Sequence, residues 1–145
     1  GVVIIDDFGK VLKSNTYGEK LERKATQKEK IERMIWIATQ IIRDGREFDS
    51  GVIGIEGFAF RAKGAQNDLG ELHGVIKSQI LMSLKIVPII VPVKTARKTV
   101  LGNGNMKKDK VFACVSKLGF GNDNEADAYV IAECLRLQFL GEKND

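Results

Sequence analysis

Glu56 closes a short run of strand-forming residues, Gly51–Ile55 (GVIGI). That position lies outside the carboxyl end of a strand, where an α/β sheet presents its ligand crevice. A carboxylate placed there is either solvated or coordinating a cation. A second group of oxygen ligands follows at Asn122–Asp123–Asn124–Glu125–Ala126–Asp127. Acids in the first turn of a helix suit its dipole and help cap it, which accounts for Asp123, Asn124 and Glu125. Asp127 is different. Counted in helical steps it shares a face with Val130, Ile131 and Cys134, so it is expected to point at the sheet rather than at water. An ionised carboxylate facing a core must be paired or bound to metal. Opposite Glu56 it would be repelled unless a cation lay between them.

The third feature is a basic window. Lys94, Arg97, Lys98, Lys107, Lys108 and Lys110 stand against one acid, Asp109, giving +5 where the whole chain carries +4. Everything outside the window nets −1, so the positive excess is concentrated as expected of a polyanion contact. Within it, Gly102–Asn103–Gly104–Asn105 is expected to form a loop whose glycines let backbone approach a ligand, flanked by phosphate-holding cations.

Carboxylates that hold hard divalent cations, next to a phosphate-binding segment, suit two-metal phosphodiester hydrolysis. In that chemistry one ion activates water and the other stabilises the leaving oxygen, about 3.5–4 Å apart. An all-oxygen ligand set favours Mg²⁺, with Mn²⁺ able to substitute. The lone His73 lies in an expected helix, where a packing role is the plainer account, and no Ser/His/Asp spacing stands out. Cys114 and Cys134 lack metal-ligand spacing and are expected to be buried free thiols. Asp6 and Asp7 are expected in a turn, where Asp hydrogen-bonds its own backbone.

The elements that must position these groups follow from pattern. GVVII and Lys10–Thr16 form a hairpin about Asp6–Gly9. A helix runs over Gln27–Asp44, with a Thr26/Glu29 capping box, an inward stripe of Ile31, Met34, Ile35, Ala38, Ile41 and Ile42, and Gly45 as terminator. Trp36 falls off that stripe. A second helix spans Asp68–Leu84, a strand Ile86–Val93, and further helices Asp109–Leu118 and Glu125–Leu140. Strands alternating with helices after an opening hairpin indicate an α/β domain with a mixed sheet, one domain over residues 1–145. No run approaches the roughly 18 apolar residues of a membrane span. The N-terminus lacks a signal peptide's basic region, so no membrane association and a cytoplasmic location are expected.

The segment Ile55–Lys63 (IEGFAFRAK), then Leu72–Val75, Pro92, Arg97, Thr99–Gly104 and Lys108, and finally Glu125–Ala128 (EADA), resembles in order and spacing the RuvC-like Holliday junction resolvases, phage-type members included. The similarity covers nearly the whole chain. It implies a ribonuclease H-like fold and a homodimer that nicks four-way DNA junctions in a bacterial or phage-infected cell. Carried over, Glu56 and Asp127 would be metal ligands, with Asn124, Asp123 or Glu125 supplying a further one. Arg97 and Lys108 would lie near the scissile phosphate or junction arms, with Lys98 and Lys107 of the basic window also expected to contact DNA, and Phe58 or Phe60 could stack on a base. Two departures stand out. The family's first catalytic Asp lies on an opening strand that precedes a turn matching Gly1, so the chain as given is expected to lack a central strand and be catalytically crippled. The family also has an acid where Asn124 stands, which weakens or alters the ligand set.

Two other functions fit the same residues: a junction-binding module without cleavage, and a ribonuclease H-like nuclease acting on RNA or an RNA–DNA hybrid. The second helix is apolar over an arc wider than one core face needs (Leu69, Leu72, Val75, Ile76, Ile80, Leu81, Met82, Leu84), which suits packing against a two-fold mate.

Overall fold

The computed structural model describes residues 1–18, 25–57 and 66–142, the side chains of 66–68 and 140–142 excepted. These residues fall into two compact units, one holding all the strands and the three C-terminal helices, the other holding the first two helices.

In the first unit, β1 (Val2–Ile5) and β2 (Val11–Asn15) pair antiparallel. Asp6 closes the turn between them, its Oδ1 accepting from the Phe8 and Lys10 amides at 2.9 Å. β3 (Gly54–Glu56) runs parallel to β4 (Ile89–Val91), with Glu56 opposite Val91. The expected mixed sheet is therefore present as two separate pairs, one antiparallel and one parallel. Both pack on the long helix α5 (Asp123–Glu142). Gly54 shows how closely: a Cβ there would fall 2.4 Å from Leu135 Cδ1, so the strand can lie on the helix only without a side chain.

Helices α3 (Val93–Leu101) and α4 (Lys108–Val115), with a 3₁₀ turn at Ser116–Leu118, complete the unit. The strand expected over Ile86–Val93 shortens to three residues because Pro92 starts a helix instead. Pro92 is the helix cap, its backbone still extended (φ −64°, ψ 129°), and its carbonyl accepts from Ala96 N at 3.0 Å. Most of the basic window is thereby helical, the expected loop at Gly102–Asn105 lying between α3 and α4. The core joins Val91, Ala96 and Val111 to Val130, Ile131, Cys134 and Leu135. A second cluster, Val115, Phe120 and Ala126, takes in Val3 and Val11 of the hairpin. Of the two thiols expected inside, Cys134 is buried, but Cys114 is exposed on α4.

The second unit is the pair α1 (Gln27–Glu47) and α2 (Gln66–Leu84). The capping box forms as expected: Thr26 Oγ1 accepts from Glu29 N, and the Glu29 carboxylate accepts from Thr26 N. Those donors hold the Glu29 carboxyl below its usual range. Replacing Thr26 by alanine should cost about 1 kcal/mol, read as a lowered thermal midpoint.

Gly45 does not end α1. It is buried within the helix, where a Cβ would meet Leu84 Cδ1 at 2.8 Å, and the cap moves on to Phe48. This close approach sets the phase of the buried stripe: Met34, Ile37, Ala38, Ile42 and Gly45 face inward. Ile31 and Ile35, expected on that stripe, are 45% and 48% exposed. Trp36 lies off the stripe and meets the Tyr17 ring edge-on, centroids 6.1 Å apart. On α2, Ile76 and Ile80 are buried while Leu69, Leu81 and Met82 stay exposed.

Candidate metal and phosphate site

The site is built where β3 ends and α5 begins. Asn122 caps α5, its Oδ1 accepting from the amides of Asn124 (3.0 Å) and Glu125 (3.1 Å). This starts the helix two residues earlier than the pattern suggested and brings Asp123 into its first turn. Five residues beyond the cap, Asp127 turns inward and is only 7% exposed, on the face it shares with Val130, Ile131 and Cys134.

Its two oxygens have different surroundings. Oδ1 accepts from Arg97 Nη2 at 2.9 Å, in a pair largely shielded from water. Oδ2 is buried without a hydrogen-bond partner, with the Lys108 ammonium 3.5 Å away. Arg97 is held in turn by the Met106 carbonyl, which accepts from Nη1 at 2.6 Å. Met106 lies in the loop between α3 and α4. That loop folds back on α3, with Gly104 so close to the Lys94 carbonyl that a Cβ would fall 2.6 Å from its oxygen. The glycine thus serves approach to the protein's own helix, which in turn fixes the arginine. Nothing in sequence marks a backbone carbonyl as an anchor, and Met106 was not foreseen in this role.

Glu56 interacts electrostatically with this assembly. Partial burial pushes its carboxyl above the usual glutamate range, and the nearby Asp127 charge pushes the same way, against Lys108 and Arg97. Strand end and helix start therefore set the two carboxylates within electrostatic range of one another, Asp127 buried and Glu56 on the exposed side. Gly57, the next residue, extends the β3–β4 ladder by donating to the Val91 carbonyl at 2.8 Å. The backbone of Gly1 passes beside the Asn124 carbonyl, where a Cβ would lie 2.1 Å from the oxygen.

Lys108 spans the remaining oxygens: its Nζ is 3.4 Å from Asn124 Oδ1 and 3.7 Å from Asp123 Oδ2. Glu125 is occupied elsewhere. Buried, it accepts from Ser14 Oγ (3.0 Å), Thr16 Oγ1 (3.2 Å), Gly121 N (3.2 Å) and Asn122 Nδ2 (3.1 Å), tying β2 to the start of α5. Ser14 and Thr16 were overlooked, although their i, i+2 spacing on a strand places both on one face. Glu125→Ala strands several of these donors at about 1–3 kcal/mol for each one left buried and unpaired. The expected outcome is a clear fall in the thermal midpoint, with Glu125→Gln falling less.

Lys98 and Lys107, the sequence neighbours of Arg97 and Lys108, are exposed, as are Lys94 on α3 and Lys110 on α4. Phe58 and Phe60 lie outside the described residues. Among the described residues no group of three His, Cys, Asp or Glu side chains is arranged to hold a metal. The available set is two carboxylates and an amide oxygen, Glu56, Asp127 and Asn124. All are hard donors, and the unpartnered Asp127 Oδ2 leaves one lone-pair site open to a cation.

Strand pairs packed on a long helix, with further helices beside them, give this unit an α/β architecture. Among solved structures the chain is similar to RuvC of Thermus thermophilus, with a TM-score of 0.67 and 19% sequence identity, over 96% of this chain and 87% of that one. At that identity the likeness is one of fold. No protein-family model matches the chain. No curated protein matches it in sequence. Among the described residues no helix is long and apolar enough to cross a membrane.

Proposed function

We propose that this chain is a structure-selective DNA endonuclease that resolves Holliday junctions or related branched DNA by Mg²⁺-dependent phosphodiester hydrolysis. The observation that carries the reading is a buried Asp127 with one oxygen unpartnered, within electrostatic range of Glu56 at a strand end, in a fold similar to that of RuvC. Glu56, Asp127 and Asn124 would hold the metal, with Asp123 at its edge, and Mn²⁺ could take its place. When bound, the metal supplies water activation and stabilises the leaving oxygen. The protein's own residues do the rest. Arg97 holds Asp127 in one orientation, and Met106 holds Arg97. Lys98, Lys107 and Lys108 offer cations to the phosphate backbone, and these contacts position DNA without reading its sequence. The resemblance adds a further aspartate on a strand preceding Gly1, which would complete the sheet, together with a two-fold dimer in which the exposed apolar residues of α2 would pack.

The test is cleavage of a synthetic four-way junction in Mg²⁺ by the natural chain, with any residues that precede Gly1 included. Paired symmetric nicks that depend on metal and on Glu56 are expected. A second reading, a junction-binding module without cleavage, is favoured by Asn124 standing where the family has an acid. It predicts salt-sensitive junction binding with no cleavage, unchanged in Glu56→Gln. Under either reading, removing Lys98 or Lys107 should lower the salt dependence of binding by about one counterion each.

A further inference from the structure

The Lys108 ammonium occupies the place where a cation would meet the acids of α5. It lies 3.4 Å from Asn124 Oδ1, 3.5 Å from Asp127 Oδ2 and 3.7 Å from Asp123 Oδ2. Of the three, only the contact to Asn124 is a hydrogen bond, and Asp127 Oδ2 remains buried and unpartnered. The ammonium neutralises this oxygen at a distance without saturating it.

Arg97 and Lys108 therefore attend the same carboxylate in different ways. Arg97 is largely buried, hydrogen-bonded to Oδ1 and anchored on Met106, so it cannot leave without exposing the Asp127 charge. Lys108 is half exposed, at 52%, on a flexible four-carbon stem that can swing into solvent at little cost. A divalent ion bound to Oδ2 at the roughly 2.0–2.1 Å that Mg²⁺ requires cannot share that side of the carboxylate with an ammonium.

We propose that Lys108 is an exchangeable counter-ion, holding Asp127 and Asn124 while no metal is bound and displaced from them by the incoming divalent cation. The proposal deepens the nuclease reading and rests on it. Displacement turns a cation that was pairing with the protein into one free for a phosphate, next to the exposed Lys107. Metal loading and capture of the DNA backbone are thereby coupled through one side chain. Arg97 stays in place throughout and keeps Asp127 oriented during the exchange.

The test is titration of the metal-free natural chain with Mn²⁺ in the absence of DNA, with free Mn²⁺ followed by electron paramagnetic resonance. Wild type is compared with Lys108→Met, Lys110→Met and Glu56→Gln, each first shown by thermal melting to be folded. Lys110 is exposed on the same helix, so its loss removes the same charge without touching the acids. Lys108→Met is expected to bind Mn²⁺ about tenfold more tightly than wild type, an effect moderated by the exposure of Lys108. Lys110→Met should move affinity by less than about threefold, the scale of a screened charge at longer range. Equal shifts in the two lysine variants, or weaker binding in Lys108→Met, would overturn the exchange while leaving the nuclease reading intact, provided Glu56→Gln still weakens the metal. Binding insensitive to Glu56→Gln in every background would overturn both.

Discussion

Arg97→Ala is expected to destabilise the metal-free protein by about 3–5 kcal/mol, the cost of stripping a buried charge of its partner. The pair is short at 2.9 Å and largely shielded, with side chains 13% and 9% exposed, so solvent offers Asp127 little compensation. The same substitution leaves the Met106 carbonyl without the guanidinium that bonds it. Chemical denaturation would show a lower midpoint with an unchanged slope. A double-mutant cycle separates the pair from its surroundings: Arg97→Ala/Asp127→Ala should recover much of the loss, because the buried carboxylate left with only the half-exposed Lys108 goes with its partner. If Arg97→Ala melted like wild type, the guanidinium would not be a structural counter-ion, and Asp127 would have to be oriented by something else.

Glu56→Gln is expected to act in opposite directions on activity and on stability. Junction cleavage in Mg²⁺ should fall by more than the roughly hundredfold that loss of an outer partner of a metal ligand costs. The metal-free protein should become more stable at neutral pH. Burial and the Asp127 charge raise the Glu56 pKa in the folded state, so the native protein binds that proton more readily than the unfolded chain does. The sign follows directly: above its folded-state pKa the ionised carboxylate weakens the fold, and below the unfolded value the penalty is gone. The advantage of glutamine in thermal midpoint should therefore shrink as pH falls through the interval between those two values. The carboxyl keeps an open side to solvent, so the gain is modest. Unaltered cleavage by the variant would remove Glu56 from the proposed chemistry.

Much of the site was legible because its residue types are costly anywhere else. An acid at the end of a strand and an acid on the apolar face of a helix each demand a reason, and Glu56 and Asp127 were found by that demand. The capping box at Thr26 and the Asp6 turn were legible for a simpler reason, since each is closed by atoms within four residues of one another. What escaped was non-local. Arg97 and Lys108 looked alike as members of a basic window. Only the fold of the loop back onto α3 made one a buried clamp and left the other half exposed. Glu125 looked interchangeable with Asp123, until Ser14 and Thr16 of the hairpin turned out to engage it.

The sequence by itself determined the α/β class, the order of the elements, the strand-end position of Glu56 and the inward face of Asp127, because periodicity, capping and the cost of a buried charge act over a few residues. Tertiary structure decided the phase of α1, where contact between Gly45 and Leu84 turned Ile31 and Ile35 outward. It also decided that the strands associate as two pairs on α5, and which cation each oxygen of Asp127 meets. Those outcomes depend on which surfaces reach one another across the chain, and no local pattern carries that information.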